Sequence, residues 1–252
     1  MLEELNRLGT RPILFGGLGV EIQSAIAVAA SAEESDESVR DWRDPRFLCR
    51  IVRGTNDIDL GFDGFQPSPR MALETLGFRQ AQSESTRFLR DELRIDAIVA
   101  SADPGASPLE RLLHQLLPEA EFVAIGPGPS RHRVASPAWL VVLKAVAWRS
   151  RYEERDLTDV AHLAIADSAI GVIHERLLEL MPRLDTSTRD ALDLLGDAFK
   201  GQFGSGPRAF CKVVRESLGG RLIDDWEDDN GHDTVAGIAS SAVKRLLRGT
   251  RQ

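Results

Sequence analysis

Cysteine is nearly missing from this chain of 252 residues, which carries only Cys49 and Cys211. They lie far apart and without metal-ligand spacing, so neither a disulfide framework nor a zinc site is suggested, and two reduced thiols are expected. Basic excess is missing too. Lys and Arg number 31 against 39 Asp and Glu, a formal net charge of -8. That balance argues against coating nucleic acid through bulk electrostatics, although a local basic groove stays compatible with it. No apolar run approaches the roughly 20 residues needed to span a bilayer, and the opening "MLEELNRLGTRP" has no basic-then-apolar layout. The expectation is a soluble cytoplasmic protein without a membrane partner. Two catalytic signatures are absent as well: no GxSxG elbow occurs, and no Gly-Lys-Ser/Thr follows the glycines at 16–19. The five histidines are scattered, so His162 and His174 read as packed or surface residues rather than ligands.

What is there begins with an apolar fraction of 42%, enough for a sizeable core. A short helix from Leu2 to Leu8 is followed by the strand "PILF", the glycines "GGLG" and the helix-forming "VEIQSAIAVAASA". A charged stretch from Glu33 to Arg46 reads as a surface loop or insertion. Then come a strand around Asp57 and Asp59, a helix "RMALETLGF", a strand "LRIDAIVA" from Leu93 to Ala100, a helix "PLERLLHQLL" and a strand "EFVAIG". Beyond about Arg131 the segments are helical, from "PAWLVVLKAVAWRSR" to "DTVAGIASSAVKRLL". An α/β front and a helical back predict two domains, 1–130 and 131–252, with the linker between Gly126 and Pro137.

"RGTNDIDLGF" holds the most specific chemistry. On a strand, Asp57 and Asp59 share one face while Ile58 and Leu60 take the other. Two carboxylates on one patch repel each other unless water, a shared proton or a cation intervenes, and a divalent metal relieves them most completely. An ordinary edge strand with a solvated acidic face is the better account of the pair when it is taken alone. The wider order narrows the choice. A Gly16-Gly17 turn opening a helix lets backbone N–H groups approach phosphate, and a third carboxylate, Asp96, stands on a later strand. Three acids on neighbouring strands could hold two divalent ions.

In this order "LFGGLG", "TNDIDLGF" and "RIDAIVA" resemble the nucleotidyltransferase fold shared by polymerase-beta-like enzymes. The resemblance implies Asp57 and Asp59 as Mg²⁺ ligands in a two-metal site and Asp96 as the third metal-binding carboxylate and base, with Gly16 and Gly17 cradling the phosphates of an NTP. Thr55 and Arg53, just before the acidic strand, are further nucleotide-binding candidates, Arg53 for a triphosphate or an RNA backbone, with solvated surface as its simpler account. The interval from glycines to acids is longer than usual in that family, with the stretch from Glu33 to Arg46 looping out. A second stretch, "VASPAWLVVLKAVAWRSRYEERDLTDVAHL", is similar to the AbiEii-type toxin branch of the superfamily, with its Pro-x-x-Leu...Lys helix and Arg-Asp-x-x-Asp. The implied fold is α+β: a small mixed sheet with helices, then an all-helical C-terminal domain. The implied activity is Mg²⁺-dependent transfer of a nucleoside monophosphate from an NTP, with a tRNA 3' end as acceptor and a cognate antitoxin as partner. A small-molecule acceptor and a non-catalytic nucleotide-binding module are the alternatives.

Lys144 sits in helical spacing among Leu140, Leu143 and Ala147, where an ammonium needs a partner. Triphosphate would supply one, making Lys144 and Asp156 catalytic candidates; Asp156 and Asp159, three apart on one helical face, would supply another. The stem could also pack while the amine reaches water. If the acceptor is RNA, Arg131, Arg133, Arg149 and Arg151 form the candidate basic strip, with solvated surface as the simpler account.

Overall fold

The computed structural model describes residues 1–31, 47–48, 55, 57–64, 68–82, 85–125, 130–201, 204–218, 226 and 230–250. The chain divides into two compact units, Met1–Gly19 with Gly54–Leu140 and Val20–Arg53 with Val141–Gln252. The first unit is built on a seven-stranded mixed sheet. In chain order its strands are β1 (Ile13–Phe15), β2 (Asp57–Phe62), β3 (Arg79–Gln80), β4 (Arg87–Arg90), β5 (Leu93–Val99), β6 (Glu121–Ala124) and β7 (Arg131–Val134). Across the sheet they run β3-β4-β5-β2-β1-β7-β6, with β1/β7 and β2/β5 parallel and the other pairs antiparallel.

The pleat sorts the side chains. One face carries Leu14, Leu60, Phe62, Phe88, Ile95, Ala97 and Val134, all buried. Each large apolar side chain on it contributes roughly 1.5–3 kcal/mol relative to exposure. The opposite face carries Ile13, Phe15 and Gly61, then Asp59 and Asp57 further along β2. Gly61 matters here because a Cβ on it would stand 3.1 Å from Leu113 Cδ2. Its lack of a side chain lets helix α4 (Pro108–Leu116) close over that end of the face, leaving the aspartates at the other end half-exposed. Helix α4 is fixed at its start by a capping box: Ser107 Oγ accepts from Glu110 N at 3.3 Å, and Glu110 Oε2 accepts from Ser107 N at 2.7 Å. Helices α1 (Leu2–Arg7) and α3 (Pro69–Thr75) complete the unit. The division between units falls inside α2 (Gly16–Ser31) and inside α5 (Pro137–Arg151).

Among its described residues the second unit is helical, with α6 (Glu154–Ile170), α7 (Val172–Leu180), α8 (Thr186–Ala198), α9 (Ser205–Ser217) and α10 (Gly231–Leu246) after α5. Helices α6, α9 and α10 pack against one another. Leu157, Val160, Ala161, Phe210, Val214, Val235, Ala239 and Val243 are buried in this unit. Gly171, at φ 68°, turns α6 into α7, and Asp167 Oδ1 accepts from Ile173 N at 2.7 Å, satisfying an otherwise orphaned donor at the start of α7. No helix among the described residues is long and apolar enough to cross a membrane.

The expected mixed α and β composition and the mixed sheet are present. Strands β3, β4 and β7 are additions to the elements read from sequence. Of these, β7 begins at Arg131, where the helical half was expected to start, and pairs with β1 in the first unit.

Candidate functional site

Strand register gathers the acids. Asp59 lies directly beside Asp96 in the parallel β2/β5 pair, so both carboxylates stand on one face, with Asp57 two residues along on the same side. All three are half-buried. Asp59 also meets the glycine turn. Gly16, the first residue of α2, has φ 64°, and a Cβ there would stand 1.8 Å from Asp59 Oδ2. Glycine is therefore required twice over, for the left-handed backbone and for the close approach of the carboxylate to the helix start. Gly17 follows it, buried, within the helix.

Two residues that sequence reasoning missed share this face. Arg87 pairs across β4/β5 with Asp96 and grips it in a fork, Nε to Oδ1 at 2.9 Å and Nη2 to Oδ2 at 3.0 Å. Arg94 stands beside Asp57 in the β2/β5 register, with its Nε 3.1 Å from Asp57 Oδ1. That second contact is an ion pair without hydrogen-bond geometry, so the buried Oδ1 has no hydrogen-bond partner among the described residues. Alternation along "LRIDAIVA" could have placed Arg94 on the Asp96 face. Arg87 needed the hairpin register, set by the two-residue turn Asp91-Glu92 with Asp91 at φ 54°.

Lys144 and Asp156 belong to a cluster within the second unit. Lys144 Nζ lies 2.6 Å from Asp159 Oδ2 and 3.4 Å from Asp156 Oδ1. Arg151 forks onto Asp156, Nε to Oδ2 at 2.8 Å and Nη2 to Oδ1 at 2.7 Å. Two cations meet two anions, and Lys144, Asp156 and Asp159 are all buried. Pairing of this kind is what makes charge tolerable there.

Of the remaining candidates, Arg53 lies outside the described residues, as does the stretch from Glu33 to Arg46. Thr55 Oγ1 donates to Asp57 O at 3.0 Å and accepts from Asp57 N at 3.3 Å, so its hydroxyl anchors the entry to β2. In the proposed basic strip, Arg131 is exposed, Arg133 donates to Leu117 O and to Arg11 O, and Arg149 donates to Ser187 O and Ser187 Oγ. Desolvation lowers the Arg133 pKa, with Asp63 opposing. Arg133, Arg149 and Arg151 thus have internal acceptors. The Cys211 thiol, desolvated and near Asp233, is pushed up to about 12, which leaves it protonated and a poor nucleophile.

Among the described residues no group of three or more His, Cys, Asp or Glu side chains converges as for a bound metal ion. The donor chemistry nevertheless fits a hard divalent cation: three carboxylates on one face, with one buried Oδ1 lacking a hydrogen bond. No protein-family model matches the chain, and no curated protein is similar to it.

Proposed function

We propose that the chain is a Mg²⁺-dependent nucleotidyltransferase that moves a nucleoside monophosphate from an NTP to an acceptor hydroxyl, releasing pyrophosphate. The reading is carried by one observation: Asp59 lies in register with Asp96, shares a face with Asp57, and presses against Gly16 at the start of α2. In this reading the sheet unit is a nucleotidyltransferase core and the helices that follow form a C-terminal domain. Asp57 and Asp59 would hold Mg²⁺, with Asp96 as third ligand or as the base that takes the acceptor proton. Bound there, the metal would supply charge neutralisation for the triphosphate and lower the pKa of the attacking hydroxyl. The half-buried face limits water around the carboxylates and so strengthens their attraction for a cation. Backbone N–H groups at Gly16 and Gly17, at the positive end of the α2 dipole, would receive phosphate oxygens.

For the acceptor, the toxin reading assigns a tRNA 3' end and a cognate antitoxin as regulator. A small-molecule acceptor is the second reading, and a specific observation favours it: Arg133, Arg149 and Arg151 are engaged within the chain. Incubation with labelled NTPs, Mg²⁺ and either total tRNA or pooled small hydroxyl compounds separates the readings. Labelled RNA supports the toxin, a labelled small molecule supports the second acceptor class, and NTP bound without turnover reduces the chain to a nucleotide-binding module.

A further inference from the structure

Resting on that reading, we propose that Arg87 and Arg94 are internal stand-ins for the metal: each neutralises a carboxylate of the acidic face, is displaced when a divalent cation binds, and then serves the anion that arrives with it.

The register places them for this. Counting along β5, Arg94 precedes Asp96 by two residues and so projects from the same face, opposite Asp57. Across the β4/β5 hairpin, Arg87 faces Asp96 itself. Three carboxylates and two guanidinium groups therefore share one half-buried patch whose formal sum is -1, against -3 for the acids alone. Without the arginines, Asp59 and Asp96 would be like charges in adjacent register, which is destabilising on a sheet. The two contacts differ in strength. Arg87 holds both oxygens of Asp96 in a charge-assisted fork. Arg94, with its side chain 45% exposed, makes one contact without hydrogen-bond geometry. The looser grip makes buried Asp57 Oδ1 the first oxygen that a cation would take over from its arginine. No proton moves in this exchange: a carboxylate trades one cation for another, and the released guanidinium, permanently charged and forked, is suited to phosphate oxygens.

Displacement has a signature that a purely structural role lacks, because removing an arginine should tighten the metal alone and weaken the metal–triphosphate complex. The test titrates Mn²⁺, followed by electron paramagnetic resonance, into the full chain and into Arg94→Gln, Arg87→Gln and Asp57→Asn. The series is then repeated with a non-hydrolysable NTP present. Circular dichroism checks each fold. Arg94→Gln should tighten Mn²⁺ by roughly two- to fivefold, the range of an exposed pair. Arg87→Gln should tighten it by about tenfold, as expected for loss of a bidentate competitor. Both should weaken the Mn²⁺–NTP complex, and Asp57→Asn should abolish saturable Mn²⁺ binding. Should Arg87→Gln fail to fold, Arg94→Gln decides the matter, since its pair is the more exposed. If Mn²⁺ affinity falls or holds steady in the arginine variants while Asp57→Asn abolishes it, the acidic site stands and the stand-in role is overturned. If Mn²⁺ binds saturably to none of the four proteins, the nucleotidyltransferase reading fails and takes this proposal with it.

Discussion

Asp59 rests its carboxylate where a side chain on Gly16 would begin: a Cβ there would stand 1.8 Å from Asp59 Oδ2. The turn and the acid are therefore one structural unit, although they stand 43 positions apart in the chain. Gly16→Ala should cost about 1–2 kcal/mol for the left-handed backbone alone. The collision adds to that and pushes Asp59 off its position. Urea denaturation should show the loss, and Mn²⁺ titration of the folded variant should show weakened binding. Wild-type stability together with wild-type Mn²⁺ affinity would contradict this coupling.

The buried cluster in the second unit gives a second expectation. Lys144→Met keeps the length of the side chain and removes its charge, leaving Asp159 without its 2.6 Å partner in a buried setting. Breaking a buried pair from one side costs about 3–5 kcal/mol. Adding Asp159→Asn should restore much of that loss. Chemical denaturation of both variants decides the point: a single variant as stable as wild type would show that Lys144 does not hold the α5–α6 contact together.

Asp167 gives a pH dependence whose sign follows from its surroundings. Desolvation raises its pKa above the ordinary 3.8, and the N–H groups of Ile173 and His174 offset this only in part. The folded state then binds the proton more tightly than the unfolded chain does. The stabilising contribution of this group is complete below about pH 4 and is lost as pH rises through the folded value. Asp167→Asn keeps an acceptor for Ile173 N without the charge. Its stability relative to wild type should increase from pH 4 to pH 7 in parallel thermal melts, whereas Asp167→Ala, which loses the cap, should cost about 1 kcal/mol. A difference between Asp167→Asn and wild type that does not change with pH would contradict the assignment.

Much of this was legible because the informative signals are local. The period-2 placement of Asp57 and Asp59 and the strand around Asp96 follow from residue alternation, and the helices beyond Pro137 follow from long runs of helix formers. The strands that escaped are short and polar. "RQ", "RFLR" and "RHRV" carry five arginines in ten residues, and what makes them strands is pairing with distant partners. The same limit hid Arg87, whose hold on Asp96 depends on hairpin register. Lys144 was legible as a buried ammonium in need of a partner. That Asp159 comes within 2.6 Å of it required the geometry of α5 and α6.

Removing one acid from the sheet face should stop the chemistry and spare the fold. Asp57→Ala releases Arg94, whose half-exposed head water can solvate, so stability should change by no more than about 1 kcal/mol. Asp59→Ala removes the carboxylate beside Asp96 and relieves a like-charge contact.

The most direct measurement is therefore incubation of wild type, Asp57→Ala and Asp59→Ala with α-labelled NTPs, Mg²⁺ and the acceptor pools, counting label joined to acceptor and pyrophosphate released. The account predicts Mg²⁺-dependent transfer by wild type, loss of at least about a hundredfold in either variant, and near-native melting temperatures for both. Full Mg²⁺-dependent transfer by a folded Asp59→Ala protein would contradict it.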